Sequence, residues 1–167
     1  AQPALLAHHC QEAGLAEQAV VHWLKAGQRA LASSAMVEAL AQLRKGLDVL
    51  AGLPDSVWRR QQELDLQTAL ASVLTATKGW SATEVAEALT RARELAGELD
   101  RQEDLVPLLV NQVGFHHVRS EYRLSLPTGQ YVEHIANLCN NPALRIVSVS
   151  AHLPLISEWK GLAERGY

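Results

Sequence analysis

Seven histidines, two cysteines and eighteen acidic residues are the groups in this 167-residue chain that could ligate a metal or move a proton. The densest cluster is His8-His9-Cys10, with His22 further along. Adjacent residues on a helix point about 100° apart, so His8 and His9 are poorly placed to share one ion. One of the two is expected to be buried and the other exposed. His116-His117 meets the same objection. No His-Glu-x-x-His, no Cys-x-x-Cys and no Glu-x-x-His repeat occurs. Cys10 and Cys139 lie far apart in a spacing that fits neither metal nor redox motifs, so they read as reduced thiols.

Covalent and phosphate chemistry find no better footing. Gly-x-Ser-x-Gly is absent, and the ten glycines are scattered rather than gathered into a phosphate loop. The carboxylate pairs Glu63/Asp65 and Glu84/Glu87 fall on polar helix faces, where solvation is the default. These observations point away from an enzyme. No catalytic residue, metal site or cofactor is expected.

The elements that carry these residues are helices. Apolar residues make up 48% of the chain and charged ones 20%, which is globular composition, and aromatics reach only 5%. Ala and Leu dominate the apolar share, and both are strong helix formers. A net charge of −3 gives no electrostatic reason to expect nucleic acid. The basic residues Arg59, Arg60, Arg91, Arg93 and Arg101 are interleaved with Glu63, Asp65, Glu94 and Glu98. That mixture reads as solvated helix faces with i,i+4 support. No apolar run approaches the roughly 20 residues needed to cross a bilayer, and no basic-then-apolar leader is present. A cytoplasmic location without membrane contact is expected. The chain starts at Ala1 and enters helical pattern almost at once, as a fragment would whose N-terminal neighbour had been removed.

The first segment, Ala4 to Ala13, places Leu5, Leu6, His9 and Ala13 on one face and stops at Gly14. Patterns of 3- and 4-residue steps then run from Ala16 to Ser33 and from Ala35 to Leu53. Pro54, Asp55 and Ser56 supply turn and cap chemistry for a helix from Val57 to Thr77, which Gly79 ends. Ser81-Ala82-Thr83-Glu84 is a capping-box pattern that opens a helix to Leu99. Leu105 to Val118 is one more apolar helix. Pro127 and Gly129 then interrupt what should be its partner, and Asn140-Asn141-Pro142 signals a turn. Arg145 to Ser150 alternates like a strand with nothing to pair with.

A repeat underlies these helices. From Val20 to Leu53, a bulky residue with small ones four and seven further on occupies the first helix: Trp23, Gly27 and Ala30. A small, a bulky and another small residue occupy the second at steps of four and three: Ala39, Leu43 and Gly46. Small residues belong where two helices cross, and bulky ones fill the space between successive pairs. Val85, Leu89 and Ala92 repeat the four-and-three step, while the helix before them keeps only the small Ala69 and Ala76. A helix pair of about 34 residues is the tetratricopeptide pattern. The predicted fold is therefore all-α, an α-solenoid of tetratricopeptide-like antiparallel helix pairs over residues 1–126. A divergent segment, 127–167, forms short helices or an irregular tail.

The stretches AHHCQEAGLAEQAVVHWLKAGQRALASSAMVEALAQLRKGLDVLAGLPD, RRQQELDLQTAL, ATKGW, EVAEALTRARELAGELDR and LVPLLVNQVGFHHVRSE resemble the C-terminal repeat region of large bacterial signalling proteins. In those proteins a class III adenylate/guanylate cyclase domain and an AAA-type ATPase domain precede tetratricopeptide-like repeats. The resemblance covers Ala7 to Leu126. It implies a non-catalytic regulatory or scaffolding segment whose partners are proteins: the upstream domains, another chain, or a second copy in a homodimer. An alternative is the sensor segment of an ATPase-type transcriptional regulator that holds a small effector.

In such arrays the first helices line the concave face. The outward positions there would be Val21, Leu24, Gln28, Leu70, Leu74, Val110, Asn111 and His117. The set is apolar to neutral and lacks the Lys/Arg/Asn cluster that clamps a peptide carboxylate. Core packing explains these residues at least as well as a peptide groove does.

Overall fold

The computed structural model describes residues 2–140, apart from the side chains of His117, Val118 and Tyr122. Among the described residues there are seven α-helices, one 3-10 turn and no strand. The helices are α1 (Pro3–Glu12), α2 (Ala16–Ala32), α3 (Met36–Ala51), α4 (Val57–Lys78), α5 (Thr83–Glu98), α6 (Val106–Val118) and α7 (Tyr122–Leu138). The strand-like stretch at Arg145 to Ser150 lies outside the described residues. The chain divides into two units after Arg101.

In the first unit each helix packs on the next in sequence, and α2 also touches α4. The 3- and 4-residue steps set the buried faces. Ala19, Val20, Trp23, Ala26, Gly27 and Ala30 are buried on α2, and Ala39, Leu43, Gly46 and Leu50 on α3. Contact with α2, α3 and α5 buries α4 on several sides, from Leu64 to Leu74. Its start is fixed by Ser56, whose hydroxyl accepts the Arg59 N–H at 3.1 Å. Arg59 Nε–H in turn donates to the Leu50 carbonyl at the end of α3 (3.2 Å).

One turn recurs. Gly14, Ser34, Asp100 and Ser120 all take positive φ, at 72°, 59°, 55° and 58°. After each, an N–H reaches back five residues to the helix just ended. Leu15 bonds Cys10 at 2.8 Å, Ala35 bonds Ala30 at 2.9 Å, Arg101 bonds Ala96 at 2.9 Å and Glu121 bonds His116 at 2.8 Å. This is the 6→1 closure of a Schellman motif, which satisfies carbonyls the helix leaves orphaned.

Three local expectations are corrected. On α1 the inward face is Ala4, Ala7 and Cys10, packed on Ala19 and Trp23. Leu5, Leu6, His9 and Ala13 are exposed, Leu5 by 55%. Small side chains let α1 approach α2 closely, and that contact outweighs the burial of two leucines. The capping box at Ser81 does not form, because α5 starts after Ala82, which gives no side-chain cap. Glu84 pairs instead with Lys78.

Third, no break occurs at Pro127 or Gly129. In the second unit the turn Gln102–Leu105 leads into α6, which packs on α7 as a helical hairpin, and α7 runs through both residues to Leu138. The expected boundary at Leu126 falls inside this helix. Pro127 is exposed, as is Arg123, whose carbonyl loses its helical bond and is free to take one from water. Ser125, Thr128, Val132, Ile135 and Ala136 are buried, and this face offsets the roughly 3 kcal/mol a helical proline costs.

Candidate binding surface

All nine repeat positions are buried: Trp23, Gly27 and Ala30 on α2, Ala39, Leu43 and Gly46 on α3, Val85, Leu89 and Ala92 on α5. Two glycines carry the tightest contacts. A Cβ on Gly27 would lie 2.5 Å from Leu43 Cδ2 and Cγ. A Cβ on Gly46 would lie 2.9 Å from Leu66 Cδ2 and 3.2 Å from Trp23 Cβ. Gly46 is thus where α2, α3 and α4 meet, with a bulky residue from each neighbour filling the space its missing side chain leaves.

The residues expected to face outward divide. Val21 is half-buried and Gln28 exposed on α2; Val110 is half-buried and Asn111 exposed on α6. Leu24, Leu70 and Leu74 are buried, Leu74 to 1% exposure, and belong to the core instead. α2 and α4 touch, and apolar helix faces are usually core. The side chain of His117 lies outside the described residues.

The charged residues of α4 and α5 are not simply solvated. Arg91 Nε–H and Nη2–H donate to Glu63 Oε1 and Oε2 at 2.6 and 3.2 Å across the helix pair. The Glu63 side chain is only 12% exposed and also has Arg59 at 3.6 Å. The hydrogen bonds it donates to Glu63 push the Arg91 guanidinium pKa above its ordinary value, with burial opposing. Arg101 reaches Asp65 at 3.0 Å, and Arg60 lies 3.6 Å from Glu98. Helix pair α2–α3 is joined by glycine contacts, whereas α4–α5 is strapped by ion pairs. Glu63 and Asp65 are therefore structural carboxylates with fixed cationic partners.

His8 and His9 are both exposed, against the expectation that one is buried, and each lies beside Glu12, at 3.9 and 3.7 Å. Their helix turns Ala7 inward instead. Among the described residues no group of three or more His, Cys, Asp or Glu is arranged to hold a metal ion. His116 is buried and meets Glu121, Nδ1 to Oε2 at 3.0 Å, while Arg119 Nε–H donates to Glu121 Oε1 at 2.7 Å. These two bonds, that of Arg119 foremost, hold the Glu121 carboxyl below its ordinary pKa.

Two clefts flank the α1–α2–α3 layer. One, of about 310 Å³, has Trp23 at its wall, with Lys45 Nζ 5.0 Å from the indole centroid and the indole N–H donating to Gln11 Oε1 at 3.4 Å. The other, of about 210 Å³, is lined by the polar Gln2, Arg29, Ser33, Glu38 and Gln42 among small apolar residues. Gln42 is 8% exposed. Its Nε2 donates to Glu38 Oε1 at 2.8 Å, and its Oε1 is buried with no partner. Sequence reasoning passed over this residue. The available signal was a glutamine inside the buried stripe of Ala39, Leu43 and Gly46, four residues after a glutamate.

No family model and no solved structure matches the chain. It is 34% identical over 91 residues to an uncharacterized protein of Rhizobium meliloti (strain 1021). The match takes in 54% of this chain and 9% of that relative. The chain thus spans a small part of the length of the curated relative it matches.

Proposed function

We propose that this chain is a non-catalytic protein-interaction and regulatory module, a tetratricopeptide-like α-solenoid within a larger bacterial signalling protein linked to cyclase and ATPase domains. Its partners are the other domains of that polypeptide, a separate protein, or a second copy, in the cytoplasm. The observation that carries the reading is the three-helix junction at Gly46. There the small and bulky positions of one repeat register meet Trp23 of the preceding helix and Leu66 of the following one. Stacking of helix pairs through such contacts builds extended surfaces for protein. The exposed Leu5 and Leu6 on α1 add an apolar face suited to a protein neighbour. The short share of a much longer relative agrees with a segment of a large chain.

Crosslinking of the full-length polypeptide through Lys25, Lys45 and Lys78, all exposed, followed by mass spectrometry, tests the proposal. Crosslinks from these lysines to another domain or a second copy are expected. Crosslinks confined to this segment would sink it.

A second reading, the effector-holding sensor segment of an ATPase-type transcriptional regulator, is favoured by one observation. The carbonyl of Gln42, a residue that lines the cleft beside α1, is a buried acceptor with no donor.

A further inference from the structure

Helix α3 packs on α2, and α5 on α4. Each turns three positions, at steps of three and four, into the fold beside its central buried leucine. On α5, around Leu89, these are Ala88, Ala92 and Leu95, with 5%, 0% and 0% exposure. On α3, around Leu43, they are Gln42 and Gly46, both buried, and Val49, half-buried. Gly46 and Val49 lie against Trp23 of α2, the helix that precedes theirs.

α1 stands to α2 as α3 stands to α4: each packs on the helix that follows it. With Ala7 set against Leu43, both fully buried, the equivalent positions on α1 are Leu6, Cys10 and Ala13. These are uncovered. Leu6 is 37% exposed, Cys10 is half-buried and Ala13 is exposed. The set is at least as apolar as the Gln42, Gly46 and Val49 that α3 buries, and among the described helices α1 packs chiefly on α2. An apolar flank left open beside a filled one calls for an occupant.

Size decides which occupant fits. α1 has ten residues, so its flank is only about 15 Å long. That falls far short of the roughly 800 Å² per partner that a stable complex between separate chains buries. A helix tethered on the same chain needs no such area, because its effective concentration is already high. The relative matched over 9% of its length shows how much longer such a polypeptide can be.

We propose that Leu6, Cys10 and Ala13 seat a further α-helix of the same polypeptide, one that precedes α1 as α2 precedes α3. The inference rests on the repeat reading above and names its partner as the stretch of chain next to α1, ahead of a separate protein or a second copy.

Photo-crosslinking in the full-length polypeptide tests it, with Leu6→p-benzoylphenylalanine as the probe and mass spectrometry to locate the adduct. The adduct is expected within the roughly 34 residues before Pro3, one repeat length, at a yield independent of protein concentration. An adduct on a distant domain or on a second copy would overturn the proposal. If the bulky probe gives no adduct, the Cys10 thiol decides. Its alkylation by iodoacetamide is expected to be at least about tenfold slower in the full-length polypeptide than in the 167-residue chain. Leu6→Asp is expected to restore the faster rate. Equal rates, or protection that survives Leu6→Asp, overturn the proposal as well. An adduct on a distant domain would still satisfy the lysine crosslinking test, so the two readings fail separately.

Discussion

The carboxylate of Glu63 and the guanidinium of Arg91 meet fork to fork, 28 residues apart in sequence, and join α4 to α5 by two hydrogen bonds. Paired and largely buried on the Glu63 side, this contact is worth more than an exposed ion pair, although Arg91 itself remains 38% exposed. Glu63→Gln removes the charge while keeping the shape. A loss of about 1–2 kcal/mol is expected in urea unfolding. Adding salt to the native protein should narrow the gap between wild type and variant. A variant as stable as wild type at low salt would show that the strap adds nothing.

Gly27 faces a buried leucine with no room for a methyl group, whereas Gly114, inside α6, has open space around its Cβ position. The same substitution should therefore have opposite signs. Gly27→Ala forces Leu43 out of place and is expected to cost about 1–3 kcal/mol. Gly114→Ala gains helix propensity, up to about 1 kcal/mol. Thermal unfolding of the two variants beside wild type checks both, and equal shifts in one direction would contradict the packing.

The Glu121 carboxyl is held below its ordinary pKa by Arg119 and then His116. A carboxylate with a depressed folded pKa stabilises above its unfolded pKa, and that contribution is lost as pH falls through the folded value. The elbow between α6 and α7 is therefore expected to loosen on acidification below about 4.5. Amide exchange at residues 119–125, corrected for the intrinsic rate, reads this out. Glu121→Gln should lose the pH dependence, and an unchanged profile in the variant would assign it to another group.

The bounds of α2 to α6 and the buried stripes of α2, α3 and α5 were legible because both come from local spacing. Trp23, Gly27, Leu43 and Gly46 sit at steps that only a pair of crossing helices uses. Pairs three and four residues apart, such as Arg59 with Glu63, follow from spacing, but the partners that join one helix to another were not legible. Arg91 has Glu87 four residues before it and Glu94 three after, and it does meet Glu94 at 3.2 Å, yet its shortest bond is to Glu63 across the helix pair, and no local rule names a residue 28 positions away. The inward face of α1 was misread because leucine outranks alanine in hydrophobicity, while contact with Trp23 rewards the smaller side chain. A proline inside a helical pattern reads as a breaker, and only the structure shows that its side of α7 faces water. Gln42 stayed hidden for the opposite reason, since a polar residue on a core stripe is usually assigned to the surface.

The recurrent positive-φ turns give the chain two kinds of joint. At Ser34 and Ser120, each inside one unit, the backbone bond back to the preceding helix fixes both the number of residues and the direction in which the chain leaves. An added residue there would break the bond and rotate the helix that follows against the one before it. The links 52–56 and 79–82 carry no such five-residue closure, and most of their residues are exposed or half-exposed to water. Variation in chain length among descendants of this sequence should therefore collect at those two links, leaving the spacing across the closed elbows constant.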